Sequence, residues 1–87
     1  MPLFKIEFER LSKITDIETI GRIKNRSIRE WLNQNHGKSK WLYKKGTAKI
    51  RVSESGNIWI AEIHFYTAHG QGIYREEVKY LLKRVYE

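Results

Sequence analysis

Two runs of alternating residues separated by a turn constrain the fold of this chain more than any other feature. Residues 47–52, TAKIRV, alternate polar and apolar side chains, which is the period of a strand with one buried face. Residues 58–66, IWIAEIHFY, are rich in the β-branched and aromatic types that strands favour. Between them, residues 53–57 supply turn chemistry, because Gly and Asn tolerate positive φ. The pattern predicts an antiparallel hairpin within residues 44–72.

The second run also predicts which side chains share a face. One face carries the apolar residues Trp59, Ala61, Ile63 and Phe65, and the other carries Glu62, His64 and Tyr66. Successive residues on one face of a strand lie roughly 6.5 to 7 Å apart. The polar face of the first strand is basic, with Lys49 and Arg51. We therefore expect a carboxylate, an imidazole and a phenol in a row beside a basic strand.

The segments before the hairpin predict a strand followed by helical structure. Residues 3–9 alternate as a short strand would. A capping box at residues 15–18 precedes apolar residues that recur at helical spacing as far as His36. A second capping box at residues 27–30 slightly favours two short helices over one bent helix. Gly37 stands where the end of a helix often requires a left-handed residue.

The length of the chain limits the architecture to one core. A chain of 87 residues has no room for two cores, and 40% apolar residues are enough for one. The apolar residues of segment 74–87 fit both a further strand and one face of a helix. We expect a single α+β domain over residues 1–87, with an N-terminal strand and one or two helices packed on a small antiparallel sheet.

The charge of the chain indicates a polyanionic partner. Seventeen Lys and Arg against ten Asp and Glu give a net charge of +7 and a pI near 9.8. Nucleic acid is the commonest such partner, while plain solubility and an acidic protein surface are the alternatives. The candidate nucleic-acid-binding residues are Lys44, Lys45, Lys49, Arg51, Lys79 and Trp41. Trp41 suits stacking on a base, but it can equally fill the bottom of the core.

Several classes of protein are disfavoured by what the sequence lacks. The chain has no cysteine, so it has no disulfide, no thiolate nucleophile and no cysteine-ligated zinc. No apolar run approaches the about 20 residues of a membrane span, and residues 1–20 lack the apolar core of a signal peptide. We expect no membrane association and a cytoplasmic site of action.

The polar face has the groups that cleavage of RNA requires. That reaction needs a base for the ribose 2′-hydroxyl, an acid for the leaving oxygen and cations for the charge on the phosphorane. The candidate catalytic residues are His64, Glu62, His69 and Tyr66, with Tyr66 orienting phosphate or stacking a base. Glycines around Gln71 suit an anion-binding backbone nest. No metal and no cofactor is expected for this chemistry.

The same residues have other interpretations. Glu62 opposite Lys49 or Arg51 suits a simple cross-strand ion pair. His64 suits a structural role beneath Tyr66. Glu62, His64 and His69 also suit a metal triad, although their spacing matches no familiar ligand motif.

The central motif resembles a small uncharacterised bacterial family. Residues 61–66, AEIHFY, and 68–72, AHGQG, follow its pattern Ala-Glu-Val/Ile-His-Trp/Phe-Tyr and Ala-His-Gly-x-Gly, after a Lys-Lys-Gly approach at residues 44–46. The resemblance covers roughly residues 37–84. It implies a basic final strand, and therefore favours a strand over a helix for the tail.

A more distant resemblance is architectural. A helical part followed by an antiparallel sheet with His, Glu, Tyr and basic residues resembles the barnase, colicin and RelE group of ribonuclease toxins, which includes toxins of toxin–antitoxin and contact-dependent inhibition systems. The resemblance implies metal-independent cleavage of RNA, with transfer RNA as one substrate, and an acidic antitoxin or immunity protein as partner. The alternative is a basic module that binds RNA or DNA without cleaving it, and a third possibility is a protein that binds only an acidic protein.

Overall fold

One helix and five strands form the described part of the chain. A computed structural model describes residues 5–23, 25–69 and 72–86. The elements are β1 (Phe8–Arg10), β2 (Thr15–Arg22), α1 (Arg26–His36), β3 (Leu42–Val52), β4 (Ile58–Thr67) and β5 (Tyr74–Val85). The predicted α+β class, with its N-terminal strand, is confirmed. Within these ranges, no helix is long and apolar enough to cross a membrane.

All strands belong to one antiparallel sheet. The order is β1-β3-β4-β5, and β2 also pairs with β3. β1 pairs with the last residues of β3, and β2 pairs with the first half of the same strand. The two short strands therefore follow each other along one edge of β3. Helix α1 connects β2 to β3 and so lies at the end of the sheet where β3 begins.

The predicted hairpin is present as β3 and β4. Its register places Ala48 opposite Ala61, and the amide of Gly56 donates to the carbonyl of Val52 at 2.8 Å in the turn. Gly56 has a φ of 75°, the left-handed conformation that glycine tolerates and that the turn composition predicts. Apolar residues of both strands, together with Ile14, form the main core on one face: Ala48, Ile50, Ala61, Ile63 and Phe65. The predicted assignment of residues to faces is therefore confirmed.

A second apolar cluster fastens the helix to the sheet. It contains the fully buried Leu32 of α1 with Ile23, Trp41 and Ala68. Asn25 caps the helix, its side-chain oxygen accepting from the amide of Ile28 at 3.1 Å. This cluster fixes α1 beside the end of β4 that follows the polar residues identified above.

The prediction of a helix starting at residue 15 is wrong. Residues 15–22 form strand β2, and the one helix in the described part is capped by Asn25 rather than by Ser27. The physical reason is a pair of register shifts in β2, which each add a residue to one side of the ladder. These extra residues break the two-residue alternation of a regular strand. The apolar residues Ile17 and Ile20, which are three apart, therefore show a spacing that is also typical of a helix. The predicted left-handed residue at Gly37, with φ of 92°, is confirmed.

The tail is a strand, as the resemblance favoured. β5 pairs with β4 along most of its length, and register shifts near Leu81 and Val78 interrupt its alternation. These irregularities explain why the sequence of the tail fits two periods. At the other end of the chain, the predicted strand over residues 3–9 instead runs from Phe8 to Arg10. Residues 1–4 lie outside the described residues.

Candidate active site

His64 lies at the centre of a hydrogen-bonded row of three side chains. Its Nε2 is 2.8 Å from Oε2 of Glu62, its neighbour on the same face of β4. Its Nδ1 is 2.9 Å from the hydroxyl of Tyr43 on β3. We call Tyr43, His64 and Glu62 the relay. Its geometry follows from the hairpin, because residues of one strand face and of the neighbouring strand meet side by side.

The chemistry of the three groups gives the relay a direction. A carboxylate only accepts hydrogen bonds, so in the neutral imidazole the Nε2 proton is donated to Glu62. Nδ1 is then the acceptor, and the hydroxyl of Tyr43 donates to it. This is the arrangement of a base that is oriented by a carboxylate and hydrogen-bonded to a hydroxyl. The hydroxyl of Tyr43 is thus the end of the relay from which a proton can be passed to His64.

The imidazole itself is enclosed. The side chain of His64 is 14% exposed and that of Glu62 is 24% exposed. Since both ring nitrogens have partners, a substrate cannot reach Nδ1 unless Tyr43 moves aside or carries the proton itself. A molecule in the neighbouring cavity would therefore meet the relay at Tyr43.

Tyr43 and Tyr66 form an aromatic pair at this end of the relay. They are opposite each other in the sheet, and their ring centroids are 4.9 Å apart. Burial raises the pKa of the Tyr43 phenol above its ordinary value of 10.0, and the neighbouring Tyr66 and Glu77 raise it further. Burial also raises the pKa of Tyr66, while Arg75 lowers it and Glu77 raises it. Both phenols therefore remain protonated donors at neutral pH.

The cavities on the two sides of the relay differ in the charged residues that line them. The cavity on the Tyr43 side has a volume of about 350 Å³ and is lined by Arg22, Tyr43 and Tyr66 among others. The cavity on the Glu62 side, of about 220 Å³, is lined by Asp16, Glu18, Lys45 and Glu62 among others. A phosphate group fits the electrostatics of the first cavity better, since the second contains three carboxyl groups.

The predicted cations are not gathered around His64. Lys45 is opposite His64 in the sheet, but its ammonium group lies 3.7 Å from Glu18. Arg51 pairs with Glu9 at 2.8 Å, and Lys79 pairs with Glu77 at 3.6 Å. The remaining two lysines lie opposite other residues in the sheet. Lys49 is opposite Ile60, and Lys44 is opposite Phe65 on the core face. The register places Thr47, and neither Lys49 nor Arg51, directly opposite Glu62, so the expected cross-strand pair with Glu62 does not form between opposite residues.

Two further predicted site residues lie apart from the relay. Trp41 is 4% exposed, and its Nε1 donates to Asn33 at 3.0 Å, so it is a core residue, the second of the two positions expected for it. His69 is exposed in a turn beyond the end of β4 and, among the described residues, has no hydrogen bond or ring contact with the relay. The strand continues three residues past His64 to Thr67, which is about 10 Å. The predicted nest around Gln71 lies outside the described residues.

No group of three or more metal-ligating side chains occurs within residues 5–23, 25–69 and 72–86. Glu62 and His64, two members of the alternative metal triad, are hydrogen-bonded to each other. The site therefore consists of the relay, Tyr66 and the cavity beside them.

Sequence reasoning missed Tyr43 and Arg22. The alternation of residues 58–66 carries no information about Tyr43, and the signal that identifies it is the register of β3 against β4. Arg22 reaches the cavity because β2 is a strand that ends beside Tyr43, with Gly21 opposite Tyr43 in the sheet. The incorrect helix prediction concealed that position.

Comparison of the chain with protein-family models, with curated proteins and with solved structures gave no match. The resemblances described above therefore remain predictions. The function must be argued from the relay and its surroundings.

Proposed function

We propose that this protein is a metal-independent endoribonuclease whose reactive centre is the relay. The observation that carries the proposal is the continuous hydrogen-bonded row from Tyr43 through His64 to Glu62, which ends at a cavity containing Arg22. A hydroxyl, an imidazole and a carboxylate in this order form a proton-accepting system that requires no further group. The net charge of +7 favours a polyanionic substrate.

The reaction uses the ribose 2′-hydroxyl as the nucleophile. Its proton passes to the Tyr43 oxygen while the Tyr43 proton passes to Nδ1 of His64, and Glu62 stabilises the imidazolium that forms. The 2′-oxygen attacks the adjacent phosphorus, the bond from phosphorus to the 5′-oxygen breaks, and the leaving oxygen takes a proton from water. The proton on His64 then returns through Tyr43 to the hydroxide that is left, which restores water and the neutral relay. The products are a 2′,3′-cyclic phosphate and a 5′-hydroxyl end. DNA lacks the nucleophile, so the proposal requires RNA.

Arg22 and Tyr66 are placed to assist at the phosphate. The Arg22 guanidinium neutralises part of the negative charge that develops on the phosphorane. The Tyr66 phenol, kept protonated by its raised pKa, donates a hydrogen bond to a phosphate oxygen or stacks on a base. Both residues line the cavity that Tyr43 also lines.

The test is cleavage of transfer RNA and of a generic single-stranded RNA in excess EDTA, followed on a denaturing gel. We expect discrete products from the wild type and a loss of about 10² to 10⁴ in rate for His64→Gln, the range for removal of an acid–base group. Glutamine can still contact Glu62 but cannot accept the proton. Thermal unfolding monitors whether the variant remains folded, and His64→Ala is the second, more severe variant.

A binding module without catalysis is the second candidate. The enclosure of His64, with both nitrogens occupied, is the observation that favours it. It predicts uncut RNA that shifts on a native gel, equally for the wild type and His64→Gln, with binding that weakens steeply as salt rises. That result would exclude the nuclease.

A further inference from the structure

A second basic cavity adjoins the one beside Tyr43. It has a volume of about 430 Å³ and is lined by Arg22, Ile23, Arg29, Lys40, Trp41 and Leu42 among others. Arg22 and Ile23 line both cavities, so the two are neighbours at the point where β2 ends. The three cations come from β2, from α1 and from the segment before β3.

These three cations differ from most others in the described part of the chain. Arg10, Arg26, Lys45, Arg51 and Lys79 each lie within 4 Å of a glutamate. Arg84 donates to Asn57, and Arg75 lies over the ring of Trp31. Arg22, Arg29 and Lys40 have no such partner among the described residues. A cavity that gathers three cations without a carboxylate is suited to an anion from outside the chain.

Apart from Ser39, the rest of the lining is apolar. Ile23 and Trp41 belong to the cluster that fastens α1 to the sheet, and Leu42 opens β3. An apolar floor with a cationic rim matches a nucleotide, which has a flat base at one end and a phosphate at the other. Inorganic phosphate alone would leave the apolar floor unused.

We propose that this cavity is a binding subsite for a phosphate-bearing nucleotide next to the scissile bond, with Arg29 and Lys40 holding the phosphate and the apolar floor receiving the base. Its place in cleavage rests on the proposed nuclease function, in which the shared Arg22 contacts the RNA between the two cavities. Nucleotide binding itself does not depend on catalysis. Arg29 and Lys40 are positioning residues, since neither lies beside the relay.

The test is a titration of the full chain with 5′-AMP, followed by amide and indole NMR signals at low salt. We expect shifts at Arg29, Lys40 and the Trp41 indole, and binding weaker by about tenfold or more in each of Arg29→Gln and Lys40→Gln, as is typical when a charge-assisted hydrogen bond is lost. The matched control is Arg26→Gln. Arg26 is on the same helix, is bonded to Glu30 at 2.9 Å and does not line the cavity, so this variant loses the same charge without losing the site.

Two other probes decide what the cavity recognises. Adenosine and inorganic phosphate should each bind more weakly than 5′-AMP, since each lacks one half of the ligand. Equal binding of phosphate and 5′-AMP would overturn the nucleotide assignment. Equal weakening in Arg26→Gln and Arg29→Gln would overturn the site, because it would show only attraction to the net charge.

The outcome is separable from that of the nuclease. Titration of His64→Gln should give the same affinity for 5′-AMP as the wild type, since the relay is not needed to bind the nucleotide. RNA cleavage without 5′-AMP binding would refute the subsite and leave the nuclease. 5′-AMP binding without RNA cleavage would refute the nuclease and the place of this cavity beside a scissile bond, while the nucleotide site itself would stand.

Discussion

The two sides of His64 differ in charge although they lie on one face of one sheet. On the Tyr43 side, Arg22 lacks an acidic partner among the described residues and the tyrosine hydroxyls are donors. On the Glu62 side, Asp16 and Glu18 accompany the relay carboxylate, and Lys45 is 3.7 Å from Glu18. Under the proposed function, this difference favours the approach of an anionic substrate through Tyr43. Glu62 serves on the far side as the group that orients the imidazole.

Removal of the Tyr43 hydroxyl should have the largest effect of the changes that test this difference between the two sides of His64. In Tyr43→Phe the ring still packs on Tyr66, but no group carries a proton to His64. We expect RNA cleavage to fall by about 100-fold, at the low end of the range for acid–base groups, because water can partly replace the hydroxyl. Initial rates on a labelled RNA measure the loss, with Tyr86→Phe, whose residue is 82% exposed, as the control.

The opposite result would have a clear meaning. Full activity in Tyr43→Phe with none in His64→Gln would show that the imidazole reaches the substrate directly. The Glu62 side would then have to be reconsidered as the entrance.

Charge removal on the two sides should have opposite effects of smaller size. Arg22→Gln should lower kcat/KM for RNA by about tenfold, the effect of one charge-assisted contact to phosphate. Glu18→Gln should raise it, by about threefold at most, because it frees Lys45 but the pair is largely exposed and screened. The ratio of the two effects, measured at one salt concentration, is the test. Two changes of similar size and opposite sign would indicate attraction by net charge alone and no preferred side.

Local alternation made the hairpin predictable, but it did not make the register of the hairpin predictable. A strand with one buried face shows a period of two residues in the sequence. This period separates Glu62, His64 and Tyr66, on one face, from the core residues of β4 on the other. Which residue of β3 lies opposite His64 depends on the turn and on packing, and a slip of one residue reverses every side chain. For that reason the sequence suggested Lys49 and Arg51 as neighbours of Glu62, whereas the register supplies Thr47, and Tyr43 reaches His64.

The failures elsewhere have equally physical causes. The extra residues in β2 break the two-residue period of a strand and leave apolar spacings that are typical of a helix. The resulting helix prediction gave no indication that Arg22 lies beside Tyr43. The composition of residues 38–46 could not distinguish Trp41 in the core from Trp41 on the surface, since its burial depends on how α1, with Leu32 and Asn33, packs back onto it. Only the tertiary structure shows which cations have acidic partners.

Alkaline pH offers the smallest test, and it compares tyrosines that lie on the Tyr43 side with an exposed tyrosine elsewhere. The pKa values of Tyr43 and Tyr66 are raised in the folded protein, first by burial, so the unfolded chain loses these protons at lower pH than the folded one. Their contribution to the free energy of unfolding is complete below the ordinary value of 10.0 and is lost as pH rises through the folded values. Urea unfolding between about pH 9 and 11 should therefore show a shallower decline in Tyr66→Phe than in the wild type, with Tyr86→Phe unchanged. Identical slopes in all three proteins would show that the tyrosines are as hydrated as free phenols. If the decline is as expected, the phenolate that forms at Tyr43 has no proton to donate to His64, so ionisation that weakens the fold also interrupts the relay.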